Sequence, residues 1–64
     1  MKELYECPVC GNKTLEELRE YEICTICWWE DDPLQFKYPT YAGGANKMSL
    51  NQAREAYKRG EKVV

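Results

Sequence analysis

Four cysteines occur in two C-x-x-C units, and they are the residues of this sequence best suited to chemistry. The units are C-P-V-C at residues 7–10 and C-T-I-C at residues 24–27, with thirteen residues between them. Two residues between ligands allow one tight turn to place both sulfurs on the same side of a metal ion, at ~2.3 Å from it. Two such turns give a closed tetrahedral site. The spacing predicts a metal centre whose ligands are Cys7, Cys10, Cys24 and Cys27.

Two other uses of paired cysteines fit this chain less well. A disulfide framework needs an oxidising compartment, and the first five residues, MKELY, lack the apolar run of a signal peptide. A redox-active C-x-x-C belongs at a helix start in a thioredoxin-like fold, for which 64 residues are too few. No stretch approaches the ~18 apolar residues of a membrane span. We therefore expect a cytoplasmic protein that uses its thiols as metal ligands.

Zinc and iron both suit four thiolates, and the residues favour Zn²⁺. Rubredoxin-type iron sites are also small, acidic and rich in aromatic residues, so iron stays an alternative. However, Trp28 follows Cys27 where such turns usually have glycine. The two ligand pairs also lie closer in sequence than they do in rubredoxins.

The short chain makes a metal ion important for stability. A single domain of 64 residues buries only ~60% of the surface that its unfolded chain exposes, and its core rarely supplies more than ~3–5 kcal/mol. Zinc binding to small peptides is worth ~10–16 kcal/mol at neutral pH. We therefore expect metal binding and folding to be one event, in one domain over residues 1–64.

The chain around the ligands is predicted to form a small, metal-stabilised α+β fold with zinc-ribbon or rubredoxin-like cysteine turns. Because the chain must leave the first pair and return to the second, we expect a β-hairpin between the pairs, within a ribbon core at about residues 4–31. The alternative there is one helical turn over residues 14–18, where Thr14 and Glu17 form a capping-box pattern. A long loop rich in aromatic residues, 32–48, follows the core.

Two helix starts can be read from the sequence. Asp32-Pro33 is typical of the start of a turn or short helix. A C-terminal α-helix is predicted over about residues 50–59, with a capping box at Ser49 and Gln52. Such a helix is too short to be stable alone in water, so we expect its apolar stripe to pack on the ribbon. The stripe consists of Leu50, Ala53, Ala56 and Tyr57. The tail, 61–64, is expected to be frayed.

The residues that follow the last cysteine have two interpretations each. Either one or both of Trp28 and Trp29 cover the metal site as part of the core, which we favour, or they form an exposed contact surface with the acidic residues that follow. Glu30, Asp31 and Asp32 are either a solvated, cap-forming face, which we favour, or ligands of a second, hard cation.

In combination these motifs resemble the bacterial cysteine-rich CPCC family. The matching segments are C-P-x-C-G from residue 7, T-L at 14–15, Y-E-I-C-x-x-C-x-W-E-D-D at 21–32, G-G-A-N at 43–46 and S-L-x-x-A at 49–53. Val9 stands where the family has the middle cysteine of its C-P-C-C run, so that extra thiol is not needed for the metal. The resemblance implies a small zinc-binding domain and does not imply a biochemical activity.

Composition and charge narrow the function. The chain has no histidine to act as a general base, and four thiolates leave no open position for water, so we expect no enzymatic activity. The formal net charge is −2, and a Zn²⁺ bound by four thiolates makes it more negative. Because nucleic-acid phosphates are also negative, this charge opposes nucleic-acid binding. We therefore predict a structural-zinc domain that binds another protein. The alternatives are rubredoxin-like electron transfer through iron and a nucleic-acid-binding zinc ribbon.

Overall fold

Two short strands and two helices form the regular structure of residues 3–63, the part of the chain that the computed structural model describes. Strands β1 (Tyr5–Glu6) and β2 (Lys13–Leu15) are antiparallel. Helices α1 (Pro33–Lys37) and α2 (Leu50–Lys58) follow. The predicted α+β class is confirmed, and at Asp32-Pro33, where we predicted a turn or a short helix, the structure has the short helix α1. Within the described residues, neither helix is long and apolar enough to cross a membrane.

The β-hairpin lies at a different place from the predicted one. Instead of connecting the two cysteine pairs, β1 and β2 enclose the first cysteine turn, with Tyr5 paired to Leu15. An isolated antiparallel bridge joins Ile23 to Glu30 across the second cysteine turn. The prediction of a hairpin between the pairs was wrong. Each observed pairing is local, because it encloses only the six residues 7–12 or 24–29.

The segment that follows β2 is ordered by a carboxylate rather than by a helix or a strand. Glu22 accepts hydrogen bonds from the backbone N–H groups of Glu16 and Glu17, at 3.0 and 2.7 Å. Thr14 and Leu15 belong to strand β2, and residues 16–20 form no helical turn. The alternative prediction of one helical turn over residues 14–18 was therefore also wrong.

Helix α1 begins where the Asp32-Pro33 pair indicates, at the start of the segment predicted as a loop. The Oδ1 atom of Asp32 accepts a hydrogen bond from the backbone N–H of Leu34 at 2.8 Å, and Pro33 occupies the first turn. The Oδ2 atom of Asp32 accepts from the N–H of Ala45 at 2.9 Å. This carboxylate therefore connects the start of α1 to the far end of the loop.

The rest of the loop packs around two buried side-chain amides, those of Gln35 and Asn46. The Nε2 atom of Gln35 donates to the carbonyl oxygens of Tyr41, Asn46 and Met48 at 3.0, 3.1 and 3.0 Å. Its Oε1 accepts from the backbone N–H and from Nδ2 of Asn46. The Asn46 side chain also bonds in both directions to the backbone of Glu30, at 2.9 and 2.8 Å. These bonds hold the loop against the second cysteine turn.

A glycine allows this close packing. A Cβ atom on Gly44 would lie 2.7 Å from Oδ2 of Asp32 and 3.0 Å from the Gln35 side chain. Both neighbours are buried and hydrogen-bonded, so they have little freedom to move aside. The G-G-A-N segment thus packs closely against the start of helix α1.

Helix α2 packs against the cysteine turns through its apolar face. The predicted capping box is present, because Ser49 Oγ accepts from the N–H of Gln52 while Oε1 of Gln52 accepts from the N–H of Ser49. The buried residues of this helix are Leu50, Ala53 and Ala56. Tyr57, also predicted in the stripe, is 38% exposed.

The chain after α2 returns to the core. Val63 is only 3% exposed and packs in the same cluster as three of the cysteines. The expectation of a frayed tail was therefore wrong as far as residue 63; Val64 lies outside the described residues. This tail closes the core beside Cys27.

Candidate metal centre

The two cysteine turns bring four sulfur atoms together. The Sγ atoms of all four cysteines lie within 4.8 Å of one another. Across the two turns, Cys7 Sγ lies 3.6 Å from Cys27 Sγ, and Cys10 Sγ lies 3.7 Å from Cys24 Sγ. Four sulfurs at ~2.3 Å from a common centre in a tetrahedron lie ~3.8 Å apart. This group of free thiols could therefore hold one metal ion; that these residues bind it stays a prediction.

The first cysteine turn is fixed by backbone hydrogen bonds. The N–H of Gly11 donates to the carbonyl oxygen of Cys7, and the N–H of Cys7 donates to the carbonyl oxygen of Asn12, both at 2.9 Å. Gly11 has a φ of 77°, a conformation that glycine adopts without strain. The N–H of Val9 points at Cys7 Sγ, 3.4 Å away. The turn thus directs both its sulfurs and its N–H groups inward.

The second turn repeats this geometry with a tryptophan at the position of the glycine. The N–H of Trp28 donates to the carbonyl oxygen of Cys24 at 2.9 Å, as Gly11 does to Cys7. Trp28 therefore adopts a φ of 70°. A bulky side chain in this left-handed region costs about 1–2 kcal/mol of backbone strain. The N–H of Ile26 points at Cys24 Sγ, 3.4 Å away.

The four sulfurs have different surroundings. Cys7, Cys24 and Cys27 are 2%, 0% and 6% exposed, whereas Cys10 is half-buried. Cys24 Sγ also accepts a hydrogen bond from the hydroxyl of Thr14 at 3.0 Å. Three of the four cysteines are therefore shielded from solvent, and Cys10 is partly accessible to it.

Burial and hydrogen bonding move the pKa values of these thiols in opposite directions. Burial raises the pKa of Cys7 to about 11 and raises that of Cys27 further. Burial also raises the pKa of Cys24, but hydrogen bonds from the Cys27 N–H and the Thr14 hydroxyl outweigh it and lower that pKa to about 6. A divalent cation among the sulfurs favours the thiolate form of all of them.

The two tryptophans have different environments. Trp29 is 1% exposed and belongs to the core cluster that contains Cys7, Cys24 and Cys27. Its indole Nε1 is buried and has no hydrogen-bond partner among the described residues. Trp28 is 58% exposed. One tryptophan therefore belongs to the core, as we favoured, and the other belongs to the surface.

The acidic residues after the tryptophans serve the fold. Asp31 is fully buried; its carboxylate accepts from the backbone N–H of Arg19 at 2.7 Å and pairs with the guanidinium at 2.9 Å. That guanidinium stacks on the ring of Phe36, 3.3 Å from its centroid. Asp32 is buried as the cap of α1. The prediction of a cap was correct and that of a solvated face was wrong, and the bonds of these carboxylates give the second-cation interpretation no support.

Sequence reasoning missed several residues that support the centre. Thr14 was read as a helix cap, but its hydroxyl bonds to Cys24 Sγ. Arg54 lies outside the apolar stripe predicted for the last helix, but its Nε donates to the carbonyl oxygen of Pro8 at 2.8 Å. These contacts join distant parts of the chain, and residue spacing contains no signal for them.

The chain was also compared with known proteins. Residues 5–60 match the model of the family described as cysteine-rich CPCC. The match includes both cysteine turns and both helices. No curated protein matches the chain.

Proposed function

The chain belongs to the cysteine-rich CPCC family, and from this premise we propose that its cysteines hold one structural Zn²⁺ in a domain that binds another protein. The observation that carries the proposal is the spacing of the four sulfurs, all within 4.8 Å of one another and enclosed by the core. Four protein ligands complete the coordination of zinc and leave no site for a reacting water, so the ion would stabilise the fold without catalysing a reaction.

Zinc is favoured over iron by the second cysteine turn. The residue after Cys27 is a tryptophan in the left-handed conformation, with a φ of 70°, where rubredoxin-type turns usually have glycine. Thiolates bind either metal, and the two differ in colour and redox activity. Iron and electron transfer would therefore be recognised at once from the visible spectrum of the purified protein.

An exposed apolar surface supports protein binding. Ile26 and Trp28, on the second turn, are 53% and 58% exposed and line a groove of about 890 Å³ together with Tyr57. Aromatic side chains of this kind provide much of the energy in protein interfaces. Trp28 contributes exposed area at the cost of backbone strain, and such strain is concentrated at functional sites. We call Ile26, Trp28 and Tyr57 the apolar surface.

Three basic residues of the C-terminal helix and its end, Arg54, Lys58 and Arg59, have polar or acidic neighbours, which weakens the nucleic-acid alternative. Lys58 lies 3.8 Å from Glu55, and Arg59 lies 3.2 Å from Glu61. The Nε of Arg54 is bonded to a backbone carbonyl of the first turn. Together with the net negative charge, these contacts leave little positive surface for phosphate groups.

The proposal is tested by metal analysis followed by affinity capture with matched variants. Elemental analysis of protein purified with a reductant is expected to give one zinc per chain. The zinc-loaded protein is then used to capture partners in parallel with Trp28→Gly and with Tyr38→Ser, which alters another aromatic residue, 50% exposed. A partner held by the wild type and by Tyr38→Ser, but lost with Trp28→Gly, supports the proposed surface. Identical capture by all three proteins contradicts it.

A further inference from the structure

Cys10 differs from the other cysteines in the two properties that control thiolate reactivity. It is half-buried, whereas the other three are at most 6% exposed. N–H or O–H groups donate to the sulfurs of Cys7 and Cys24, and the backbone N–H of Trp29 approaches that of Cys27, whereas within residues 3–63 the hydrogen-bond partner of Cys10 Sγ is Cys24 Sγ. Exposure and few hydrogen-bond donors make a metal-bound thiolate a stronger nucleophile. The group of four therefore has one reactive member.

A cleft gives small molecules access to this sulfur. Its volume is about 620 Å³, and Cys10, Leu18, Arg19 and Arg54 are among the residues that line it. The Nε bond of Arg54 to the Pro8 carbonyl fixes its guanidinium beside the first turn. Guanidinium groups stabilise both a thiolate and the hydroxide that leaves when a peroxide is attacked. The cleft thus combines access, a nucleophile and positive charge.

We propose that hydrogen peroxide oxidises this metal centre at Cys10 and that the product is a disulfide between Cys10 and Cys24. The inference rests on the proposed four-thiolate zinc site. In the first step the Cys10 thiolate attacks one peroxide oxygen, the O–O bond breaks, a sulfenic acid forms and hydroxide leaves. In the second step the Cys24 thiolate, 3.7 Å away, attacks the Cys10 sulfur, the S–S bond forms and a second hydroxide leaves. The two thiolates lose two electrons, which reduce one peroxide to two hydroxides, and the bonds of both sulfurs to the zinc ion would break.

The consequence is a redox-sensitive fold. After oxidation two thiolates remain, Cys7 and Cys27, which are too few to complete a tetrahedral zinc site. One equivalent of peroxide is consumed by the Cys10–Cys24 pair, so Cys7 and Cys27 are expected to stay as thiols. Because the domain depends on its metal for stability, oxidation would release zinc and unfold the domain, and the apolar surface beside the second turn would be lost with it.

The experiment uses the wild-type, zinc-loaded protein, with its metal content measured first. One equivalent of hydrogen peroxide is added, zinc release is followed with a chromogenic chelator, and the disulfides are mapped by mass spectrometry. We expect one zinc released per chain and a Cys10–Cys24 link. Retained zinc, or a link that leaves Cys10 free, overturns the inference. Protein without zinc at the outset contradicts the proposed function instead, so the two failures are distinguishable.

A second measurement tests the order of reactivity without oxidation. Sub-stoichiometric N-ethylmaleimide on the zinc-loaded protein is expected to label Cys10 at least about fivefold more than any other cysteine. Leu18→Ala, which widens the cleft, should raise this labelling about twofold. Leu4→Ala is the matched control, because Leu4 is 37% exposed and Leu18 38%, and Leu4 does not line this cleft. Equal labelling of the four cysteines, or an equal response to both variants, overturns the inference.

Discussion

Arg54 of helix α2 donates a hydrogen bond from its Nε to the carbonyl oxygen of Pro8, 46 residues earlier in the chain, at 2.8 Å. Pro8 lies between two of the cysteines, so this bond ties the C-terminal helix to the first cysteine turn. The helix is too short to be stable alone, and the turn is flanked by the short strands β1 and β2. Helix and turn therefore stabilise each other, and the residues that support the metal centre include one from helix α2.

Arg54→Ala is expected to lower the free energy of unfolding of the zinc-loaded protein by about 1–2 kcal/mol, the usual worth of a hydrogen bond from a charged donor in a partly buried position. Urea denaturation followed by circular dichroism measures this change. Arg59→Ala is the control; Arg59 is exposed and pairs only with Glu61 in the described part of the chain, so its loss should change stability by less than about 0.5 kcal/mol. Equal effects of the two substitutions would show that the bond to Pro8 contributes little.

Cys24→Ser is expected to abolish folding, because it removes a ligand from a site on which the small core depends. Its ¹H–¹⁵N NMR spectrum should collapse to the narrow amide range of an unfolded chain. Thr25→Ala changes an exposed residue of the same turn and should keep the dispersed spectrum. Dispersed signals from Cys24→Ser would refute the coupling of metal binding to folding.

Trp29→Ala should cost ~3–5 kcal/mol, as expected for a fully buried aromatic side chain. Trp29→Phe should cost much less, since the buried Nε1 of Trp29 forms no hydrogen bond within residues 3–63 and its removal leaves no partner unsatisfied. Thermal unfolding of the two variants, both loaded with zinc, measures the difference. If Trp29→Phe were as destabilising as Trp29→Ala, the indole N–H would have a partner that this account lacks.

Trp28→Gly is expected to stabilise the domain by up to about 1 kcal/mol, because glycine adopts the observed φ of 70° without strain. The same variant is expected to lose partner binding. Gly11→Ala makes the opposite change at the equivalent position of the first turn, where φ is 77°, and should destabilise the domain by about 1 kcal/mol. Chemical denaturation of both variants measures these changes in the free energy of unfolding. A clear loss of stability in Trp28→Gly would mean that the indole is needed for folding rather than for binding.

The features that could be predicted from the sequence depend on short-range chemistry. The C-x-x-C spacing indicates which residues share a turn, and the Ser49 and Gln52 side chains identify the start of α2. Asp32-Pro33 likewise identifies the start of α1. In each case the residues that form the contact are neighbours along the chain, so their types alone determine the result.

The features that could not be predicted depend on contacts between distant residues. The chain can return from one cysteine pair to the other with a hairpin between the pairs or with strand pairing around each turn. The local sequence is compatible with both arrangements. Likewise, the burial of Trp29 depends on the cluster that it shares with Leu15, Leu50 and Val63, which are distant from it in the sequence. The buried side chains of Gln35 and Asn46 are eleven positions apart in the sequence. They form hydrogen bonds with each other only when the loop folds back.

Native mass spectrometry of the protein purified under reducing conditions shows whether one metal ion holds the fold together. We expect a folded species with a narrow distribution of low charge states, whose mass equals that of the chain plus one zinc ion. Removal of the metal with a chelator should convert it to the broad, high charge states of an unfolded chain. A compact species that carries no metal, or one whose cysteines are joined in two disulfides, would contradict the account.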